Sequence, residues 1–336
     1  MSRYFMYVCL GGDQKIATFS MCPETGKIES TGGNDVGGAP GSIGVSPDQR
    51  FLYSGVRGPN SATAFSIDSA TGALTQIGET TLVDNPVYVI TSKSGKFLLM
   101  SSYGGAVAAS YPIGDDGVVV PEAISVVETR KNPHSVQPDP SDRYVFVPNT
   151  GADCILQYLF DAETGTLTPN EDPVVPTNEN TGPRHFCFHP SLDVVYFVNE
   201  KGNDVTVCEL DSATGKLTVV QYISTLPEGA DVESYTADIH ITADGRFLYA
   251  SNRGHESLAR YSVAENGRLS FLGVTQTEAW PRGFRIDPTG AFLFSAGERS
   301  DQIASYRLNS ESGDLEPLEV YEVGKGPNWI TIIEFS

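Results

Sequence analysis

Short apolar runs, each entered from a polar turn, recur along the chain: Phe51-Leu52-Tyr53, Phe97-Leu98-Leu99, Tyr144-Val145-Phe146, Val195-Tyr196-Phe197, Phe247-Leu248-Tyr249 and Phe292-Leu293-Phe294. Runs this short, aromatic and aliphatic, predict buried strands. Other segments alternate apolar and polar positions, as in Ile155-Leu156-Gln157-Tyr158 and Ile303-Ala304-Ser305-Tyr306, and predict a neighbouring strand. After them comes a turn of fixed form: a polar residue, glycine, any residue, then an aliphatic. Its copies are Thr25-Gly26-Lys27-Ile28, Thr71-Gly72-Ala73-Leu74, Asp116-Gly117-Val118-Val119, Thr164-Gly165-Thr166-Leu167, Thr214-Gly215-Lys216-Leu217, Asn266-Gly267-Arg268-Leu269 and Ser312-Gly313-Asp314-Leu315. Glycine supplies the positive φ of a tight hairpin turn, and the aliphatic opens the next strand. The innermost strand opens on a proline (Pro40, Pro86, Pro133, Pro183, Pro281, Pro327), and only the copy at Thr236-Ala237-Asp238 lacks one. Proline is tolerated there because the first residue of a strand need not donate to the ladder.

The seven turns recur every 45 to 52 residues, the period of propeller blades. The pattern predicts an all-β fold, a single seven-bladed β-propeller spanning residues 1–336. Tyr4 to Cys22 supply only the outer strands of a blade, whereas Gly326 to Ile332 form an inner strand with nothing after it. Joining tail to head completes one blade, closes the ring and removes exposed sheet edges.

Composition narrows the partners. The formal net charge is -20, which repels polyanions and argues against nucleic acid or an acidic membrane surface. A small anionic substrate would need its own cluster of arginines. The five cysteines are odd in number and form no C-x-x-C pair, no stretch reaches the length of a membrane span, and the N-terminus has no signal-peptide core. A reducing, cytoplasmic setting is expected; the oligomeric state is left open.

Candidate chemistry emerges when the repeats are aligned. In a propeller the inner strand starts, and the second strand ends, on the same face. After the proline come Gly41, Val87, His134, Arg184, Ala237, Arg282 and Asn328, and then Ser42, Tyr88, Ser135, His185, Asp238, Gly283 and Trp329. Positions needed only for folding should look alike, yet these diverge into His134, Arg184, His185, Asp238 and Arg282 on consecutive blades. The end of the second strand adds Glu200, and the next column holds Arg253 beside Arg57, Tyr103 and Lys201. Any one of these could be a solvated cap or a satisfied backbone partner. Together they predict one polar pocket, off-centre on one face. A metal site is conceivable if His134, His185 and His240 converge, but no metal or other cofactor is expected. No Gly-x-Ser-x-Gly elbow, P-loop or activated cysteine appears, which leaves acid–base chemistry assisted by arginines.

The segments Gly182-Pro183-Arg184-His185-Phe186-Cys187-Phe188-His189-Pro190, Asn199-Glu200, Ala237-Asp238-Ile239-His240-Ile241-Thr242, Pro281-Arg282-Gly283-Phe284 and Gly326-Pro327-Asn328-Trp329 resemble the lactonase family of seven-bladed propellers. The resemblance spans all seven repeats. Bacterial members of that family are 6-phosphogluconolactonases of the pentose phosphate pathway, and a fungal relative is the carboxy-cis,cis-muconate lactonizing enzyme, a cycloisomerase. By motif position the resemblance implies active-site roles for His134, Arg184 and Glu200. It marks His185, Arg253 and Arg282 as substrate contacts, with Asp238 and His240 beside them.

The expected activity is therefore metal-independent hydrolysis of a sugar lactone, 6-phosphogluconolactone first. Glu200 or His134 would be the base, with the other or His185 as proton donor. Arg184 would stabilise the oxyanion, and Arg253 and Arg282 would hold a phosphate or carboxylate. The alternatives are a carboxymuconate-type cycloisomerase and a non-catalytic propeller that binds a protein partner.

Overall fold

The computed structural model describes residues 2–336 and holds twenty-eight strands in seven antiparallel four-stranded sheets. Each sheet is one blade, and in all but the blade that joins the two chain ends its strands follow outward from the central channel in chain order. Blades are numbered here from the N-terminus. Blade 1 takes Arg3–Leu10, Lys15–Met21 and Ile28–Asp35 from the start of the chain and Pro327–Phe335 from its end. The two ends pair from Arg3↔Phe335 to Leu10↔Pro327, the closure expected from the repeat pattern. The inner strands of blades 2 to 7 are Ala39–Val45, Tyr88–Thr91, Gln137–Pro138, Pro183–Phe188, Tyr235–Ile241 and Pro281–Ile286. In blade 4 the inner strand is reduced to two residues, with an isolated bridge at Pro133↔Asn149.

The repeated glycine and the repeated aromatic are two halves of one contact between blades. Gly72, at φ +72°, lies flat on the Phe5 ring of the preceding blade, where a Cβ would overlap the ring. Gly26 meets Phe292, Gly117 meets Phe51, and Gly313 meets Phe247 in the same way. Only glycine combines a left-handed φ with this close approach. Tyr7 Oη and Tyr196 Oη add a bond to the turn carbonyls of Gly72 and Gly267, at 2.9 and 2.8 Å. Apolar layers fill the space between sheets: Phe292 and Phe294 of blade 7 pack with Tyr4, Met6 and Val8 of blade 1.

One irregularity sets up the site. Immediately after the proline column, five inner strands carry one more residue than their partner. Arg184 and His185 together face Val198, because Pro183 pairs with Asn199 and Phe186 with Phe197. Similar extra residues follow Pro40, Thr236, Pro281 and Pro327. Such bulges bend a strand and break the in–out alternation of its side chains.

Candidate active site

The polar residues singled out in the sequence do not share one pocket. They divide between the two mouths of the channel, and the division falls between adjacent positions of the inner strands. The first position after the proline column serves the upper mouth, formed where inner strands begin and second strands end. Val87, His134 and Arg282 line a cavity of about 530 Å³ there with Arg57, Glu200 and Arg253. The second position serves the lower mouth. Tyr88, His185, Asp238 and Trp329 line a cavity of about 1090 Å³ with His240 and Arg285. The single pocket expected above is thus corrected: His185, Asp238 and His240 lie on the far side. The division falls at the bulge, where the ordinary alternation of consecutive side chains is broken and each of the two is re-aimed.

The partition between the mouths is aromatic. His185 packs edge-on against Tyr88, Trp329 and His134, with ring centroids 5.5, 5.8 and 5.1 Å apart. His134 completes its sandwich against Tyr103 of the upper mouth at 5.6 Å. Arg184 belongs to neither cavity lining. It is 1% exposed, with one guanidinium nitrogen against the Ala237 carbonyl, and it lies behind Glu200 rather than facing open space.

Glu200 leaves the end of the strand Val194–Asn199, and its backbone is held from both sides. Its N–H donates to Gly182 O at 2.8 Å, and its carbonyl accepts from Thr236 N of blade 6 at 3.1 Å. Gly182 takes φ +67° with its open side on Thr150, which explains a glycine before Pro183. The carboxylate accepts from Arg253 Nη2 at 2.6 Å and stands 3.9 Å from Arg184 Nε. Burial pushes the Glu200 carboxyl up, but Arg184 and Arg253 outweigh it and hold it below the usual carboxylate range. Removing one partner of such a buried pair costs about 3–5 kcal/mol. Glu200 is accordingly a fixed anion before it is anything else.

His134 is the opposite kind of group. Burial, and then Arg184, push its imidazole well below the ordinary histidine range, so it is neutral at pH 7. Its Nδ1 is sealed and without a partner, leaving Nε2 as the nitrogen a substrate can meet. Around these two stand the arginines. Arg253 is anchored by Glu200 and by the carbonyls of Tyr235 and Thr236, so it is mostly committed. Arg282 is held loosely by Glu298 at 3.4 Å.

Arg57 and Tyr103 also line this mouth and were not chosen from the sequence, although both stand in the column of Arg253. Arg57 makes no ion pair among the described residues, and its buried Nε has no partner. Burial, and then the charge of Arg282, push the Arg57 guanidinium down, which puts two like charges in reach of one another. The signal that would have found Arg57 is its column, read without the preference for consecutive blades. Among the described residues, no group of three or more His, Cys, Asp or Glu side chains is arranged to hold a metal ion, and no helix is long and apolar enough to cross a membrane. The five cysteines are all unpaired.

Comparison with known proteins agrees over the whole ring. A protein named 6-phosphogluconolactonase from Pectobacterium carotovorum is 40% identical over 300 residues, covering 89% of this chain and 90% of its own. One of the same name from Serratia proteamaculans is 36% identical over 332 residues, covering 98% and 99%. The structure of the periplasmic gluconolactonase of Pseudomonas aeruginosa superposes with a TM-score of 0.90 at 26% identity, covering 98% of this chain and 99% of that one. The family described as Lactonase, 7-bladed beta-propeller, matches residues 5–332, and this chain belongs to that family.

Proposed function

We propose that the chain hydrolyses 6-phosphogluconolactone at the upper mouth, with acid–base chemistry supplied by the protein's own side chains. The observation that carries this reading is a neutral, pocket-facing imidazole beside a fixed carboxylate, facing an arginine that lacks an acidic partner. The names of the full-length relatives support the substrate. An otherwise acidic protein with Arg57 and Arg282 side by side offers the planar donor forks that suit a phosphate.

His134 Nε2 accepts a proton from water as the water oxygen bonds to the lactone carbonyl carbon. The resulting imidazolium gives that proton to the ring oxygen as the acyl C–O bond breaks. The product is the open-chain acid, which ionises in water. One group shuttling one proton is enough because a lactone is already an activated ester. Glu200, pinned between Arg184 and Arg253, keeps its charge and orients the water. Arg253 points its guanidinium toward the developing oxyanion. A cytoplasmic site of action fits the phosphorylated substrate and the unpaired cysteines.

The test is a stopped assay on freshly made 6-phosphogluconolactone, gluconolactone and a carboxymuconolactone, corrected for spontaneous opening, with and without chelator. Chelator-resistant opening with preference for the phosphorylated lactone is expected. Activity on the muconolactone alone would overturn the reading in favour of a cycloisomerase.

A further inference from the structure

We infer that Asp238 is a positioning residue for the upper mouth: it fixes the tautomer of His185, His185 holds Arg184, and Arg184 seats Glu200. The inference rests on the reading of Glu200 given above, and it assigns His185 and Asp238 a role at a distance rather than contact with substrate.

The donors and acceptors along this chain are forced. Asp238 is buried and bridges three blades. Its Oδ1 accepts from its neighbour Ile239 N at 3.0 Å and faces His185 Nδ1 of blade 5 at 2.9 Å. Its Oδ2 accepts from Phe284 N of blade 7 at 3.2 Å and faces His240 Nε2 at 3.2 Å. An ionised carboxylate has no hydrogen to offer, so both imidazole nitrogens facing it must be protonated. Burial, and then Arg184, push His185 down to about 4, so at neutral pH its ring carries one N–H only. That hydrogen sits on Nδ1, and Nε2 therefore presents a lone pair.

The lone pair meets Arg184 Nη1 at 3.3 Å. A guanidinium can only donate, so the tautomer set by Asp238 is the one that attracts it. The other tautomer would point N–H at N–H inside a dry site, where an unpaired polar group is costly. The same Arg184 nitrogen also bonds the Ala237 carbonyl, while its Nε is left facing Glu200 Oε2 at 3.9 Å with no other partner. A line of polar contacts thus crosses the partition from the lower mouth to the upper. A second catalytic centre in the lower mouth is the competing use of the pair, but the nearby Cys187 thiol is pushed up by burial and unsuited to attack.

The experiment uses the full chain labelled with ¹⁵N-histidine and ¹⁵N-arginine near neutral pH. In the wild type, the two-bond proton–nitrogen correlations of His185 should show Nδ1 protonated and Nε2 bare. Asp238→Asn should move that proton toward Nε2 and displace the Arg184 side-chain resonances. In the lactone assay, His185→Leu should lower kcat about tenfold to a hundredfold with KM nearly unchanged, since a small misplacement of the seated group acts on the transition state. His185→Gln, which returns an acceptor to the place of Nε2, should recover most of the loss. A wild-type His185 protonated at Nε2 would overturn the inference, as would equal kinetic loss in the Leu and Gln variants. If the wild type opens no lactone, the reading of Glu200 falls, while the spectra still decide the link from Asp238 to Arg184.

Discussion

The two mouths of the channel are lined by neighbouring residues of the same strands, yet their polar groups are in different states. At the upper mouth Arg57 Nε and His134 Nδ1 are buried without hydrogen-bond partners, and Arg184 Nε, behind Glu200, has only the Glu200 carboxylate at 3.9 Å. At the lower mouth no lining side chain, among the described residues, carries such an orphan. There Asp238 alone engages four donors. Native interiors satisfy almost all buried polar groups, and the exceptions gather where function claims them. On the proposed function, the smaller and less finished cavity does the chemistry and the larger, better satisfied one is framework.

The strongest way to break this contrast is His134→Ala. It should lower kcat for lactone opening about a hundredfold or more, the usual worth of a positioned acid–base group. Retained activity in the stopped assay would remove the upper mouth from the reaction. Arg57→Ala sharpens the substrate side. KM for the phosphorylated lactone should rise about tenfold, from loss of charge-assisted bonds, while KM for gluconolactone stays put.

The partition itself answers to pH. His134 and His185 both titrate lower in the folded protein than the value near 6.5 expected when unfolded. Between those limits the unfolded chain binds more protons, so stability is full above about pH 6.5 and declines as pH falls toward about 4. Calorimetry should show Tm dropping by several degrees from neutral pH to about pH 5, and a flat Tm would mean that the two imidazoles titrate in the fold as they do in the unfolded chain. The smallest effect is expected at the lower mouth: Arg285→Ala should change kcat and KM by less than about twofold. A larger loss would show that both mouths take part.

Much of this molecule is legible in its sequence. The turn glycines and the large apolar residues they meet, aromatic at six of the seven turns and Val194 at Gly267, mark each blade because they touch across blades. The missing first inner strand and the surplus last one foretell the closure. The site was harder to read. Its residues were visible by column, since Glu200 and Arg253 stand at strand ends and His134 and Arg282 follow a proline. What the columns could not show was the bulge, because an extra residue that most of the repeats share leaves no gap in the alignment. Without it, Arg184 passes for a pocket arginine and His185 for its companion. Arg57 escapes the columns for a different reason: it lies on blade 2, far along the chain from the others, yet around the ring only blade 1 separates it from blade 7.

The pairing of Arg3–Leu10 with Pro327–Phe335 also has a bearing on how the protein is made. The first strand emerges from the ribosome with Tyr4, Met6 and Val8 on it and no inner partner to cover its edge. That partner is translated more than 300 residues later, a wait of about 15–60 s at roughly 5–20 residues per second. During that interval the nascent chain carries an unpaired strand edge, a template on which another strand can pair.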